Sequence, residues 1–167
     1  MTTQDNSAPV GLGGWLILVI IGLVVSPIRI VVMMLQNHVP IFTDGTWALV
    51  TTPGSEAYHP LWGPLIGFEI VGNLALVALA FATLFLLVVR SRAAPIAAIA
   101  WYGGALLFVG LDALLAQQIP LVANQPMDPQ TIGEIVRSVV AAAIWIPYFL
   151  VSRRVKATFT RDWPARG

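Results

Sequence analysis

Four long apolar segments alternate with shorter polar segments along the chain, and this pattern predicts the architecture. The apolar segments cover residues 12–35, 64–89, 95–116 and 132–151. Each has about the 20 residues that an α-helix needs to cross a hydrocarbon core roughly 30 Å thick. Because lipid cannot satisfy backbone hydrogen bonds, segments this long should be helices. The pattern predicts an all-α membrane protein, a four-transmembrane-helix bundle.

The first apolar segment is interpreted as a retained membrane helix and not as a cleaved signal peptide. Residues 1–11 contain no Lys or Arg, so the positively charged start of a signal peptide is missing. The segment also exceeds the apolar core of a signal peptide, which has about 7–15 residues. Pro27 and Arg29 lie near its far end.

Basic residues outside the apolar segments predict the orientation of the bundle. All seven lie in the turn 90–94 or in the tail 152–167. The loops 36–63 and 117–131 contain no Lys or Arg. Because Lys and Arg in short loops favour the cytoplasmic side, we expect the tails 1–11 and 152–167, and so both termini, to be cytoplasmic. The seven residues are Arg90, Arg92, Arg153, Arg154, Lys156, Arg161 and Arg166.

Several residues are expected at the membrane surface. In the tail, a cytoplasmic basic anchor of Arg153, Arg154, Lys156 and Arg161 is interleaved with Val155, Phe159 and Trp163. Each basic residue beside an anionic leaflet gains about 1 kcal/mol. Trp101 and Tyr102, early in the third segment, are also expected at the headgroup level, which suits amphipathic rings.

Composition agrees with a membrane location. Hydrophobic residues make up 57% of the chain and charged residues only 10%, whereas a soluble protein has roughly 25% charged residues. The bilayer is therefore the expected partner of this multi-pass protein, and no nucleic-acid partner is expected. The absence of cysteine excludes disulfides, thiolate metal sites and cysteine nucleophiles.

Four ionisable residues, one in each apolar segment, are predicted to form a charge cluster at one depth. At about 1.5 Å per residue, Arg29 and Asp112 lie roughly 25 Å from the cytoplasmic ends of their segments. Glu69 and Arg137 lie roughly 8 Å from the outer ends of theirs. A charge at a helix centre costs roughly 2.5–3.5 kcal/mol, so we expect the two arginines to pair with the two acids.

Neighbouring polar residues are expected to support this cluster. Asn73 follows Glu69 by four residues and shares its helix face, and Ser138 adjoins Arg137. Glu134 precedes Arg137 by three residues and is expected to bridge to it near the rim. The cluster is interpreted as a structural lock between helices; a site for a small ligand, lipid or partner and a proton-coupled pathway are the alternatives.

Catalytic and metal-binding signals are weak. His38 and His59 flank the outer loop, but their spacing matches no compact ligand motif, so both are interpreted as solvated loop residues. Ser55, Glu56 and His59 do not indicate a triad, because nothing positions a nucleophile. We expect no enzymatic activity, no metal and no cofactor.

Two groups of residues resemble the bacterial membrane family called domain of unknown function 2569. The N-terminal group comprises Gly13-Gly14-Trp15-Leu16, Ser26-Pro27 with Arg29, and Phe68-Glu69 to Asn73. The more specific C-terminal group comprises Arg137-Ser138, Ile144 to Phe149, Ser152, Arg154-Val155-Lys156 and Thr158-Phe159. The resemblance runs from about Gly11 to Phe159 and implies a bacterial four-helix inner-membrane protein without an established activity.

The expected function is that of a small integral-membrane accessory or scaffold protein. It would act through a membrane partner, a lipid or self-association, as a possible homo-oligomer or part of a larger membrane complex. The alternative is a small transporter or channel component that uses the intramembrane acids as proton or cation sites.

Overall fold

The computed structural model describes residues 10–162 and contains seven helices within that range. The four long helices are α1 (Trp15–Thr43), α3 (Trp62–Val88), α4 (Ala94–Ala116) and α6 (Pro129–Val151). The three short helices are α2 (Thr46–Thr51), α5 (Pro120–Ala123) and α7 (Arg153–Thr158). All four long helices are long and apolar enough to cross a membrane, which confirms the all-α fold and the four-helix prediction.

Helix α1 is longer than its apolar pattern indicated. It continues eight residues beyond the predicted end at Leu35 and finishes at Thr43. The hydroxyl of Thr43 donates to the carbonyl oxygen of Val39, and the N–H of Asp44 donates to the carbonyl oxygen of Pro40. These bonds satisfy carbonyl groups that would otherwise be free at a helix end. The segment 36–63 is therefore not simply a loop, because it contains the last turns of α1 and all of α2.

The long helices pack in the order α1, α3, α4, α6. Backbone packing joins α1 to α3, α3 to α4, and α4 to α6. Among the described residues α1 and α6 meet mainly through side chains, including a contact between the rings of Trp15 and Trp145 with centroids 6.3 Å apart. The bundle is thus closely packed along three helix pairs and less tightly joined along the fourth.

The contact between α3 and α4 depends on a glycine. The ring of Phe108 lies so close to Gly72 that an added Cβ would be 2.0 Å from its Cε2 atom. Phe108 also packs against Phe68, with ring centroids 5.1 Å apart. Small residues at helix interfaces let membrane helices approach closely, and here the missing side chain of Gly72 gives the space that an aromatic ring occupies.

One end of the bundle, which we call the basic end, brings three segments together. The N–H of Gly11 donates to the hydroxyl of Thr158 at 3.0 Å. The N–H of Arg92 donates to the carbonyl of Arg161 at 2.9 Å, and the N–H of Arg161 to the carbonyl of Arg90 at 3.2 Å. The described basic residues of this end are Arg90, Arg92, Arg153, Arg154, Lys156 and Arg161. That this end faces the cytoplasm stays a prediction.

The C-terminal segment packs on the bundle. Val155 and Phe159 are buried in the hydrophobic core, at 1% and 5% exposure. Arg153 and Lys156 are exposed, whereas Arg154 lies against the backbone of Gly13. The apolar side chains of this segment therefore face the protein, while Arg153 and Lys156 stay available to a surface. Residues 1–9 and 163–167, with Trp163 and Arg166, lie outside the described residues.

Candidate functional site

A polar cavity of about 420 Å³ lies between α1, α3, α4 and α6, towards the end of the bundle opposite the basic end. Its wall is formed by the second half of α1, the first half of α3, the second half of α4 and the first half of α6. His38 and Asp128 line one end, and the rings of Trp101, Tyr102 and Trp145 line the other.

All seven residues singled out from the sequence line this cavity. The cluster residues Arg29, Glu69, Asp112 and Arg137 do so, as do the supporting residues Asn73, Glu134 and Ser138. Equal depth in the bundle brings them to one level, and helix rotation turns their side chains inward.

Arg29 pairs with Glu134 across the gap between α1 and α6. Its Nη1 atom donates to Oε1 of Glu134 at 3.2 Å and also lies 3.2 Å from the sulfur of Met33. The expected pairing of Arg29 with Glu69 or Asp112 is wrong, and so is the expected bridge from Glu134 to Arg137. An acid on α6 can reach either its own helix or the facing one, and here Glu134 reaches α1.

Glu69 pairs with His38, which sequence reasoning placed in a solvated loop. His38 Nε2 and Glu69 Oε2 are 2.9 Å apart. The side chain of His38 is only 13% exposed, because the extension of α1 keeps it inside the bundle. Its Nδ1 atom is buried and has no hydrogen-bond partner among residues 10–162. The prediction of a solvated His38 was therefore wrong.

Asp112 and Arg137 have no ion-pair partner within the described part of the chain. Asp112 lies on α4 on the same side of the cavity as Glu69, and its Oδ1 atom is buried without a hydrogen-bond partner there. Arg137 lies on α6 and is exposed, with its Nη2 atom near Gly133. Asp112 shares a side-chain hydrogen bond with Glu69. The cavity thus contains an acid, held by a second acid, and a base that form no ion pair with the described residues.

Aromatic residues form the inner end of the cavity. Trp101 and Tyr102 are 6% and 4% exposed, so their rings pack inside the bundle, and their depth at the headgroup level stays a prediction. The indole N–H of Trp101 donates to the carbonyl of Leu76 at 3.0 Å. The rings of Tyr102 and Trp145 stack with centroids 6.3 Å apart. Hydropathy alone cannot separate these positions, because an amphipathic ring suits both a headgroup layer and a polar cavity.

Ser55, which the sequence did not indicate as a nucleophile, has a structural role in the segment between α1 and α3. The hydroxyl of Ser55 donates to the carbonyl oxygens of Leu49 and Thr52 and so closes the turn after α2. In the part of the chain that the structure describes, no group of three or more His, Cys, Asp or Glu side chains is placed to hold a metal ion. The arrangement is chemically suited to binding charged or polar groups.

All residues that line the cavity lie in the part of the chain that matches one protein-family model. The model of the family described as "Protein of unknown function (DUF2569)" matches residues 9–160. Searches of curated proteins and of solved structures found no match. The matched range contains all four long helices and every residue named in the cavity.

Proposed function

The chain belongs to the DUF2569 family of unknown function, and we propose that it is a small, non-enzymatic integral-membrane accessory protein whose polar cavity binds a lipid or another small amphipathic ligand. The observation that carries the proposal is a cavity of about 420 Å³ whose Asp112 and Arg137 side chains form no ion pair with the described residues. Ligand sites have volumes of roughly 300–1,000 Å³ and combine apolar walls with a few polar groups.

One ion pair and one histidine–carboxylate contact join the helices around the cavity. Arg29 with Glu134 links α1 to α6, and His38 with Glu69 links α1 to α3. Each pair satisfies a charge that would be costly inside an apolar bundle. The same contacts also hold α1 in register with its neighbours. The proposed lock and the proposed binding site are therefore built from one set of side chains.

We place the protein in the inner membrane with the basic end towards the cytoplasm. The support is the positive-inside rule, because the basic residues of the loops and tail gather at the end away from the cavity. In this orientation the cavity lies in the outer part of the bilayer, where it is accessible to lipid of the outer leaflet.

Blocking the cavity tests the proposed function. Ala105 lines the cavity on α4, whereas Ala100 is exposed on the same helix. The full chain is extracted into native-lipid nanodiscs, and bound molecules are identified by native mass spectrometry. We expect the wild type and Ala100→Phe to carry a bound molecule that Ala105→Phe lacks. The same bound masses in all three proteins, or none in any, would refute the proposal.

A transporter or channel component is the second candidate, favoured by the closeness of His38, Glu69 and Asp112. Buried acids and histidines mark proton pathways in membrane proteins. Buried Trp101 and Tyr102 lie between the acids and the basic end, however. Proton flux into liposomes that contain the purified chain tests this function. Flux that is lost in both Asp112→Asn and Glu69→Gln, with normal assembly, would favour transport over simple binding.

A further inference from the structure

We propose that the polar cavity is specific for a zwitterion, a molecule whose ammonium group is held at Asp112 and whose acidic group is held at Arg137. This inference rests on the proposed binding function and names the ligand's chemistry. It starts from the pairing within the cavity. Glu134 is taken by Arg29, and Glu69 by His38. Asp112, Arg137 and the exposed Asp128 at the start of α6 then remain without an ion-pair partner among residues 10–162, and Asp112 is the less exposed of the two acids.

The two unpaired charges lie on helices that pack against each other, but they do not neutralise one another. Asp112 is on α4 and Arg137 is on α6, and their charged atoms are further apart than the 4.0 Å limit of an ion pair. A ligand that reaches both groups can form a charge-assisted hydrogen bond at each, and such bonds are roughly twice as strong as neutral ones. The guanidinium of Arg137 can hold a carboxylate or phosphate through two parallel bonds.

Ligands with a single charge fit this arrangement less well. An anion at Arg137 would leave the buried Oδ1 atom of Asp112 without a donor. A cation at Asp112 would leave Arg137 unpaired. A buried polar group without a partner costs about 1–3 kcal/mol, and more when it is charged. Only a ligand with one positive and one negative group gives partners to both Asp112 and Arg137.

The two charges also differ in exposure, which gives the ligand a direction. Asp112 is half-buried, whereas Arg137 is exposed. The ammonium group therefore enters first and the acidic group stays nearer the opening. An ethanolamine phosphate has this order of groups, either free or as the headgroup of phosphatidylethanolamine.

The path to the cavity is compatible with either source. Side chains, including the pair Arg29–Glu134, make most of the contact between α1 and α6. On the two helices that flank this gap, Ile28 of α1 and Val136 and Val140 of α6 are exposed and apolar. An acyl chain could lie on these residues while its headgroup occupies the cavity, and a free solute would enter from the aqueous end.

Binding measurements on the purified full chain test the ligand class. The probes are phosphatidylethanolamine, phosphatidylglycerol as an anion without an ammonium group, and free phosphoethanolamine, each added to protein in phosphatidylcholine-free detergent micelles. Affinity is read from native mass spectrometry titrations. We expect phosphatidylethanolamine to bind at least tenfold more tightly than phosphatidylglycerol, a difference of about 1.4 kcal/mol.

Two cavity variants and one control separate a binding role from a structural one. Asp112→Asn should lose the preference for the zwitterion and bind phosphatidylglycerol as well as phosphatidylethanolamine. Arg137→Gln should weaken binding of both lipids about tenfold. Ala100→Phe, at a position exposed on α4 and outside the cavity, should leave the preference unchanged. A purely structural role for Asp112 would alter stability without changing the ratio between the two lipids.

The outcomes distinguish a lipid ligand from a free solute, and they distinguish failure of the zwitterion proposal from failure of the proposed binding function. Tight binding that requires acyl chains identifies a lipid, and binding of free phosphoethanolamine identifies a solute; both support the zwitterion. Equal binding of both lipids to the wild type would overturn it. If Ala105→Phe still removes a bound molecule in that case, the binding function stands and only the ligand class is wrong. If no protein carries a bound molecule, both proposals fall.

Discussion

Replacing Gly72 by alanine should weaken the contact between α3 and α4. The new Cβ would lie 2.0 Å from Cε2 of Phe108 and 2.7 Å from Cδ2 and Cζ. Carbon atoms in ordinary contact are about 3.5–4.0 Å apart, so the ring must move by about 1.5 Å. Overpacking destabilises a folded protein by about 1–3 kcal/mol. Replacing glycine by alanine inside a helix stabilises it by about 1 kcal/mol through helix propensity. Because the overlap is large, we expect a net loss of about 1–2 kcal/mol.

The assay is equilibrium unfolding in mixed micelles of increasing dodecyl sulfate content, followed by tryptophan fluorescence. Gly67 in the same helix is a matched control, because an added Cβ there would meet no atom within 4 Å. Gly67→Ala should be as stable as the wild type or slightly more so. In a Phe108→Ala background, Gly72→Ala should cost nothing. Two results would refute the close contact between Gly72 and Phe108. One is equal stability of Gly72→Ala and Gly67→Ala, and the other is a cost of Gly72→Ala that is the same with and without Phe108→Ala.

Three further predictions concern other parts of the molecule. Trp101→Phe loses the indole hydrogen bond to the α3 backbone and should reduce the free energy of unfolding in the same assay by about 1 kcal/mol; an unchanged value would contradict this bond. Cysteine at Glu56 should react with an impermeant thiol reagent in intact cells, and cysteine at Arg153 only after permeabilisation; the reverse would overturn the orientation. The carboxylate of Asp44 accepts a side-chain and a backbone hydrogen bond from the start of α2, which lowers its pKa below 3.8. A lowered pKa means that this contribution to stability is present above the unfolded pKa, near pH 4, and is lost as the pH falls through the folded value. A nuclear magnetic resonance titration that gives Asp44 a pKa of 3.8 or higher would contradict it.

The sequence predicted the helices and the level of the charges because both depend on distance along one chain. A long apolar run requires a spanning helix, and a constant rise per residue gives the depth of Arg29 or Asp112. Pairing depends instead on helix rotation and on which helices are neighbours. That Glu134 reaches α1 could not be read from its spacing to Arg137.

Two other residues show the same limit. His38 follows Gln36 and Asn37, a polar run that indicates a loop, yet the backbone hydrogen bonds of α1 continue through it to Thr43. Trp101 carries an indole N–H that needs an acceptor when it is buried, and only the packing of α4 on α3 reveals that acceptor. Tertiary contacts decided both positions.

The pair Arg29–Glu134 has a consequence for biosynthesis. The two residues are 105 positions apart, so at about 5–20 residues per second the ribosome needs roughly 5–20 s to make the second after the first. During that time α1 already carries its arginine, whereas the final acceptor does not exist. Glu69 and His38, 31 positions apart, can meet much earlier. The newly made first hairpin is therefore a charged intermediate that only the fourth helix completes, and its lifetime in the membrane is set by the speed of translation.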